Sequence, residues 1–149
     1  KHQKHIPEAI KEIVAAPFKE LATDTIVKDS NIVTIEKGDT LVFPNLTFAM
    51  NSFQLTNEAK KILDQIYLTL LSDNDLLIDI HGHTDDIGDF NSNRILSANR
   101  ALAVKNHLIS KGISALRLFS KGFGESSPKL PNINVRNREV NRRVEFIGR

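Results

Sequence analysis

A carboxylate and a guanidinium, Asp85 and Arg100, stand fifteen residues apart in a stretch that changes character between them. Upstream lies Leu76-Leu-Ile-Asp-Ile80, apolar, too short for a helix and bounded by Asp73-Asn-Asp75 and Gly82, which is the pattern of a strand. Downstream, Ser97, Ala101, Val104 and Leu108 recur on one stripe of a helix. One loop and about two helical turns, at roughly 3.6 residues each, separate the two ions. The acid therefore sits where the strand ends, the base on the helix that returns over the sheet, and the two could meet across a small cleft. A cleft with one charge of each sign suits a guest that carries both, such as an amino-acid head group. Without a guest, such a pair would close on itself as a plain salt bridge.

A second constellation overlaps the first. His81, His83 and Asp85 alternate after the strand, as the ligands of several zinc hydrolases do. Such a site needs further donors, and only His107 remains in the folded region, since His2 and His5 lie in the flank and there is no cysteine. The plainer reading makes His81 and His83 hydrogen-bonding residues at a strand end. Asp86 and Asp89 read as loop or cap carboxylates. Ser97 lacks the Gly-x-Ser-x-Gly or Ser-x-x-Lys context of a nucleophile. No catalytic residue, metal or cofactor is expected. The arginines at 136, 138, 142, 143 and 149 form the densest basic run, but nucleic-acid binding would want stacking aromatics beside it. The nearby Phe146 is buried by strand alternation. The glycines form no phosphate-binding loop.

The chain of 149 residues is 40% hydrophobic, enough for one core, and its formal charge of +2 gives no reason to expect an acidic partner. No stretch approaches the ~18 to 20 apolar residues that cross a bilayer. Residue 1 is not methionine, and Lys1 to Lys11 lacks the apolar core of a signal peptide. The expectation is a piece of a longer protein, with any export signal or membrane part upstream. Absence of cysteine excludes disulfides and thiolate chemistry.

The positioning elements follow in order. Residues 1–39 read as a flank or the tail of an upstream domain, with a short helical pattern at 8–14 and β-branched runs at 25–27 and 31–35 that could pair as a hairpin. Leu41-Val-Phe43 and Leu46-Thr-Phe48 make a first strand interrupted by Pro44. Thr56 caps a helix whose apolar stripe is Ala59, Ile62, Leu63, Ile66 and Leu70. After the strand at Leu76 comes the long helix, capped by Asp89 or Ser92 and stopped by Gly112. Leu116 to Lys121 is a third strand, followed by a Gly122-Phe-Gly124 loop. A polar connection leads to a last strand, Arg143-Val-Glu-Phe-Ile147. This order, β-α-β-α-β-β, predicts an α/β (α+β) sandwich of one mixed four-stranded sheet with helices on one face, spanning residues 40–149.

Residues Gly82-His-Thr-Asp85, Gly88, Asn93, Leu96-Ser97, Arg100-Ala101 and Val104 resemble the signature of the OmpA-like peptidoglycan-binding domain. Gly122-Phe-Gly-Glu125, Pro128 and Asn141-Arg-Arg-Val144 extend the likeness, as do Phe48, Asn51 and Leu55. It covers roughly Thr40 to Arg149. The resemblance implies a non-catalytic module of the Gram-negative periplasm, associated with the outer membrane, that anchors outer-membrane proteins, lipoproteins or motor stators to the wall through diaminopimelate of the stem peptide. It implies that Asp85 accepts the ammonium of diaminopimelate and Arg100 takes the neighbouring carboxylate. The planar fork of an arginine suits that second task better than a lysine point charge. Asn51, Thr84, Asn93, Leu96 and Arg142 would line the same pocket. Partners would be peptidoglycan and, through the rest of the full-length chain, outer-membrane proteins; neither nucleic acid nor direct membrane insertion is implied. Many members carry an Asp-x-Asp or Asp-x-Asn after the first-strand phenylalanine. Here Phe48 precedes Ala49-Met50-Asn51, one acid fewer. Two other readings stay open: a zinc hydrolase using His81, His83 and Asp85, and a protein-interaction scaffold that does not bind the wall.

Overall fold

The computed structural model describes residues 35–43, 48 and 51–149. The helical pattern at 8–14 and the hairpin at 25–35 fall outside them, apart from Ile35. In chain order the elements are β1 (Thr40–Phe43), α1 (Asn57–Ser72), β2 (Ile78–His83), α2 (Phe90–Ser110), a 3-10 turn (Ala115–Arg117), β3 (Leu118–Gly124), α3 (Val135–Asn141) and β4 (Val144–Gly148). The four strands form one mixed sheet in the order β1-β4-β2-β3, with β2 and β3 parallel and the other pairs antiparallel. The expected α/β arrangement holds, and the polar connection before the last strand ends in the short helix α3.

Alternation along the strands divides the sheet into two faces. Ile78, Ile80, Val144 and Phe146 are buried, and they share one core with Ala59, Leu63, Ile66 and Leu70 of α1 and Ala101, Val104 and Leu108 of α2. Asp79, His81, Glu145 and Ile147 alternate with them and are only partly buried. The core reaches back before β1. Ile35 belongs to it, and the Gly38 amide donates to the Gly148 carbonyl at 2.8 Å.

Two helix starts follow the sequence rules. The Thr56 side chain accepts from the Ala59 amide at 3.2 Å, and the Asp89 carboxylate accepts from the Ser92 amide at 2.9 Å, so each satisfies a donor the helix leaves open. At the far end of α2, Gly112 takes a φ of 112°, the left-handed conformation that glycine adopts without strain.

Two strands differ from expectation. The strand expected at 76–80 is displaced along the chain to Ile78–His83. The cause lies in Arg117, whose Nε and Nη2 take the Leu76 carbonyl at 3.1 and 2.9 Å, while Nη1 takes that of Leu70 at 3.1 Å and Nη2 also that of Asp73. That carbonyl is bonded to a side chain and stays out of the ladder. At the other end, pairing with β3 and β4 keeps His81 to His83 extended. Likewise Gly122-Phe-Gly124 belongs to β3 and is not a loop. Glycine is required there by proximity to α2: a Cβ on Gly82 would lie 2.3 Å from the Ser97 carbonyl oxygen, and one on Gly122 would lie 2.2 Å from the Ala98 nitrogen. The helix that carries Arg100 is thus seated directly on the two parallel strands, β2 and the edge strand β3.

Candidate ligand-binding site

The polypeptide leaves β2 at His83, and Thr84 and Asp85 are still buried. Asp85, 6% exposed, uses both carboxylate oxygens. Oδ1 accepts from the Ile87 amide at 3.0 Å, which closes the local turn, and Oδ2 accepts from Nη1 of Arg142 at 2.6 Å. Arg142 follows α3 directly, and its own amide bonds to the Arg138 carbonyl at 3.1 Å. A carboxylate offers about four acceptor positions, so two stay available on Asp85.

Arg100 comes from the middle of α2. Its Nε donates to the Ser52 carbonyl at 3.1 Å, and its guanidinium carbon lies 5.0 Å from the centroid of the Phe48 ring. Burial lowers its pKa, repulsion from Arg142 adds to that, and attraction to Asp85 opposes both. Two guanidiniums and one carboxylate thus share a single electrostatic neighbourhood. Arginine stays protonated under such pressure, so the cluster carries excess positive charge directed at any anion that enters. The plain salt bridge between Asp85 and Arg100, the alternative to a shared cleft, does not form: Asp85 bonds to Arg142, and Arg100 bonds through Nε to the Ser52 carbonyl. Asn51, exposed with a φ of 51°, precedes the Ser52 carbonyl that holds Arg100. Leu96 lies one helical turn before Arg100 on the same side of α2 and is half-buried.

Thr84 and Asn93 are directed at backbone. The Thr84 amide donates to the Gly124 carbonyl at 2.9 Å and its hydroxyl donates to the Asp85 carbonyl at 2.8 Å. Nδ2 of Asn93 has two hydrogens; the short contacts go to the Ile87 carbonyl at 3.0 Å and Oε2 of Glu125 at 2.9 Å, while the Asp85 carbonyl at 3.4 Å is marginal. Asn93 therefore joins the 84–88 loop to the segment after β3. Asn141, fully buried, does the same for the connection before α3: Oδ1 accepts from the amides of Lys129 and Leu130 at 2.9 and 3.0 Å, and Nδ2 donates to the Leu130 carbonyl and Asn132 Oδ1 at 2.8 Å. These two asparagines fix the loops that carry Asp85 and Arg142. Asp86 accepts from Arg138 Nε at 2.9 Å and so ties the same two loops together on the outside.

The family model described as the OmpA family matches residues 47–142, which contain every residue of this cluster. The chain belongs to the OmpA family. It is 33% identical over 150 residues to outer membrane protein A of Shigella flexneri, a match covering 93% of this chain and 39% of that protein. The periplasmic domain of Helicobacter pylori MotB superposes with a TM-score of 0.67 at 30% identity, covering 77% of this chain and 78% of that one. A structure described as the cell wall anchor of the type VI secretion system from Pseudomonas aeruginosa gives 0.64 at 26% identity, with coverage of 72% and 78%. The chain spans less than half the length of the first curated relatives it matches.

Within this OmpA-family domain the alternating trio His81, His83 and Asp85 does not form. Asp85 lies beyond the strand and is held by Arg142 and Ile87, while the donor group that assembles is His81, His83 and Glu145. Glu145 pairs with His81 across the β2–β4 ladder. Burial opposes its charge, but the neighbouring His83 imidazole and the Arg143 guanidinium that donates to it outweigh that and hold its pKa at about 2. Sequence reading missed Glu145 and Glu125 as partners, because Glu145 acts through strand register and Glu125 through the turn that follows β3. It placed Arg143 in the dense basic run without a partner, whereas Arg143 is buried and donates to Glu145 Oε1 at 2.8 Å and to the carbonyls of Asn141 and Ser127.

Proposed function

We propose that this domain binds bacterial peptidoglycan without catalysis, by gripping the zwitterionic centre of diaminopimelate in the stem peptide. The observation that carries the proposal is the arrangement of Asp85, Arg100 and Arg142: a buried carboxylate with acceptor positions to spare, beside a guanidinium whose Nη groups are directed at no protein hydrogen bond described above. A ligand ammonium would bond to Asp85 and its carboxylate would be taken by the Arg100 fork, with Arg142 orienting Asp85. Asn51 and Leu96 would border the guest, and Thr84 and Asn93 would hold the loop in place. The likeness to the P. aeruginosa cell wall anchor and to the MotB periplasmic domain supports a wall-facing role in the periplasm. In the full-length protein the domain would tether an outer-membrane or envelope partner to the wall. No helix among the described residues is long and apolar enough to cross a membrane.

The test is calorimetry with a diaminopimelate-containing stem peptide against its lysine counterpart, which lacks the second carboxylate. Equal affinity for the two, or sedimentation of the Arg100→Ala protein with isolated sacculi as efficiently as the unaltered chain, would overturn the proposal.

A further inference from the structure

We propose that His81, His83 and Glu145 form a binding site for one divalent transition metal ion of the class that accepts imidazole, with Zn2+ as the reference ion. The site lies on the sheet face away from the helices and does not depend on the wall-binding reading. It also departs from the expectation of no metal drawn from sequence, where the third donor considered was Asp85.

The donor set has the chemistry of a His2Glu zinc site, in which three protein ligands leave a fourth position for water. One donor atom from each of His81, His83 and Glu145 lies within 4.8 Å of the others. His83 Nε2 and Glu145 Oε2 are 3.6 Å apart. Donors that share a tetrahedral zinc at ~2.0 to 2.1 Å are about 3.3 Å from one another, so this edge is already close to ligating separation. The remaining closure falls to His81, at the partly exposed edge.

Three further observations support the site. The His83 side chain is 4% exposed, and neither ring nitrogen has a partner within hydrogen-bond distance, Nε2 standing 3.6 Å from Glu145 Oε2, a cost that a bound ion would relieve at one of them. Glu145 is oriented from behind, since Arg143 Nε occupies Oε1 and leaves Oε2 toward His83, the outer-shell arrangement common among metal carboxylates. The Phe123 ring stacks on His83 at 5.1 Å between centroids and sits 4.7 Å from His81, which fixes both imidazoles. The remaining described histidine has no such set. His107 faces only Asp64, which Lys111 Nζ also approaches at 3.2 Å.

The experiment uses the full chain, stripped with a chelator and titrated with Zn2+ by calorimetry. Long-range proton–nitrogen spectra of the imidazoles serve as a second readout. The expected result is one saturable equivalent that perturbs two ring systems, an affinity at least tenfold weaker in His81→Ala, and a thermal shift with zinc that the variant loses. His107→Ala and the double change His2→Ala, His5→Ala should leave binding unaltered. His83→Ala risks misfolding, so the partly exposed His81 carries the test, with Glu145→Gln as the second variant. Absence of saturable uptake, uptake unchanged in both His81→Ala and Glu145→Gln, or uptake lost with the flank histidines would overturn the site.

Discussion

Arg142 Nη1 and Asp85 Oδ2 stand 2.6 Å apart although 57 residues separate them in the chain. This bond joins the segment after β2 to the segment before β4, and it orients the one buried carboxylate of the proposed site. Its consequence is an asymmetry between the two arginines. Arg142 gives Nη1 to Asp85 and Arg100 gives only Nε, to the Ser52 carbonyl, so in the proposed site the Arg100 Nη pair is the one that would receive a guest's carboxylate.

Asp85→Ala and Arg100→Ala should each weaken binding of a diaminopimelate peptide by about 2–5 kcal/mol, roughly 30-fold to several thousand-fold, because each leaves a ligand charge without its partner. Arg100→Lys should recover only a small part of that loss. It restores the charge without the planar fork. Calorimetry on the three variants checks this, and a lysine variant as tight as the unaltered chain would contradict the role given to Arg100.

Asn93→Ala should cost about 1–3 kcal/mol of stability, since the Ile87 carbonyl and Glu125 lose a buried donor. Asn93→Asp should be worse, because it sets a second carboxylate against Glu125. Denaturant melts of the pair give the comparison. An aspartate variant more stable than the alanine variant would refute it.

Gly122→Ala should destabilise the domain by about 3 kcal/mol or more, at the upper end for overpacking, because the added methyl meets the backbone of α2 at 2.2 Å. Gly38→Ala is the control for steric effects. Nothing lies within 4 Å of its added Cβ, so it should suffer only the strain of a φ of 93°.

Acid should destabilise the metal-free domain through Glu145. Its carboxyl titrates near 4.5 in the unfolded chain and at about 2 in the folded one. Between those values the unfolded state binds more protons, so stability is intact above about 4.5 and declines as pH falls toward 2. The ceiling on this term is about 3 kcal/mol, reached below both values. Chemical melts in chelator across this range should show the decline in the unaltered chain and a flatter profile in Glu145→Gln.

Local pattern carried most of the fold. The stripe Ser97, Ala101, Val104 and Leu108 is the buried side of α2, and Thr56 and Asp89 cap the helices as their residue types imply. The boundaries of β2 and β3 were not legible, because they depend on Arg117 withdrawing the Leu76 carbonyl and on two glycines meeting a helix. Asp85 and Arg100 were visible as charges near one another. The resemblance set Arg142 in the same pocket, but its bond to Asp85 was not legible, since the distance along the chain says nothing until β4 pairs with β2. The same register decides that His81 faces Glu145, and no spacing rule could have found it.

The parallel ladder pairs Gly82 with Gly122 but His83 with Gly124, so Phe123 is a supernumerary residue in β3. Deleting it would do more than shorten a strand. Gly124 would lose its place opposite His83, Glu125 in the following turn would be drawn from Asn93, and the aromatic ring over both imidazoles would vanish. Both halves of the molecule's proposed chemistry, the guest-holding loop and the histidine face, therefore hang on a single unit of chain length.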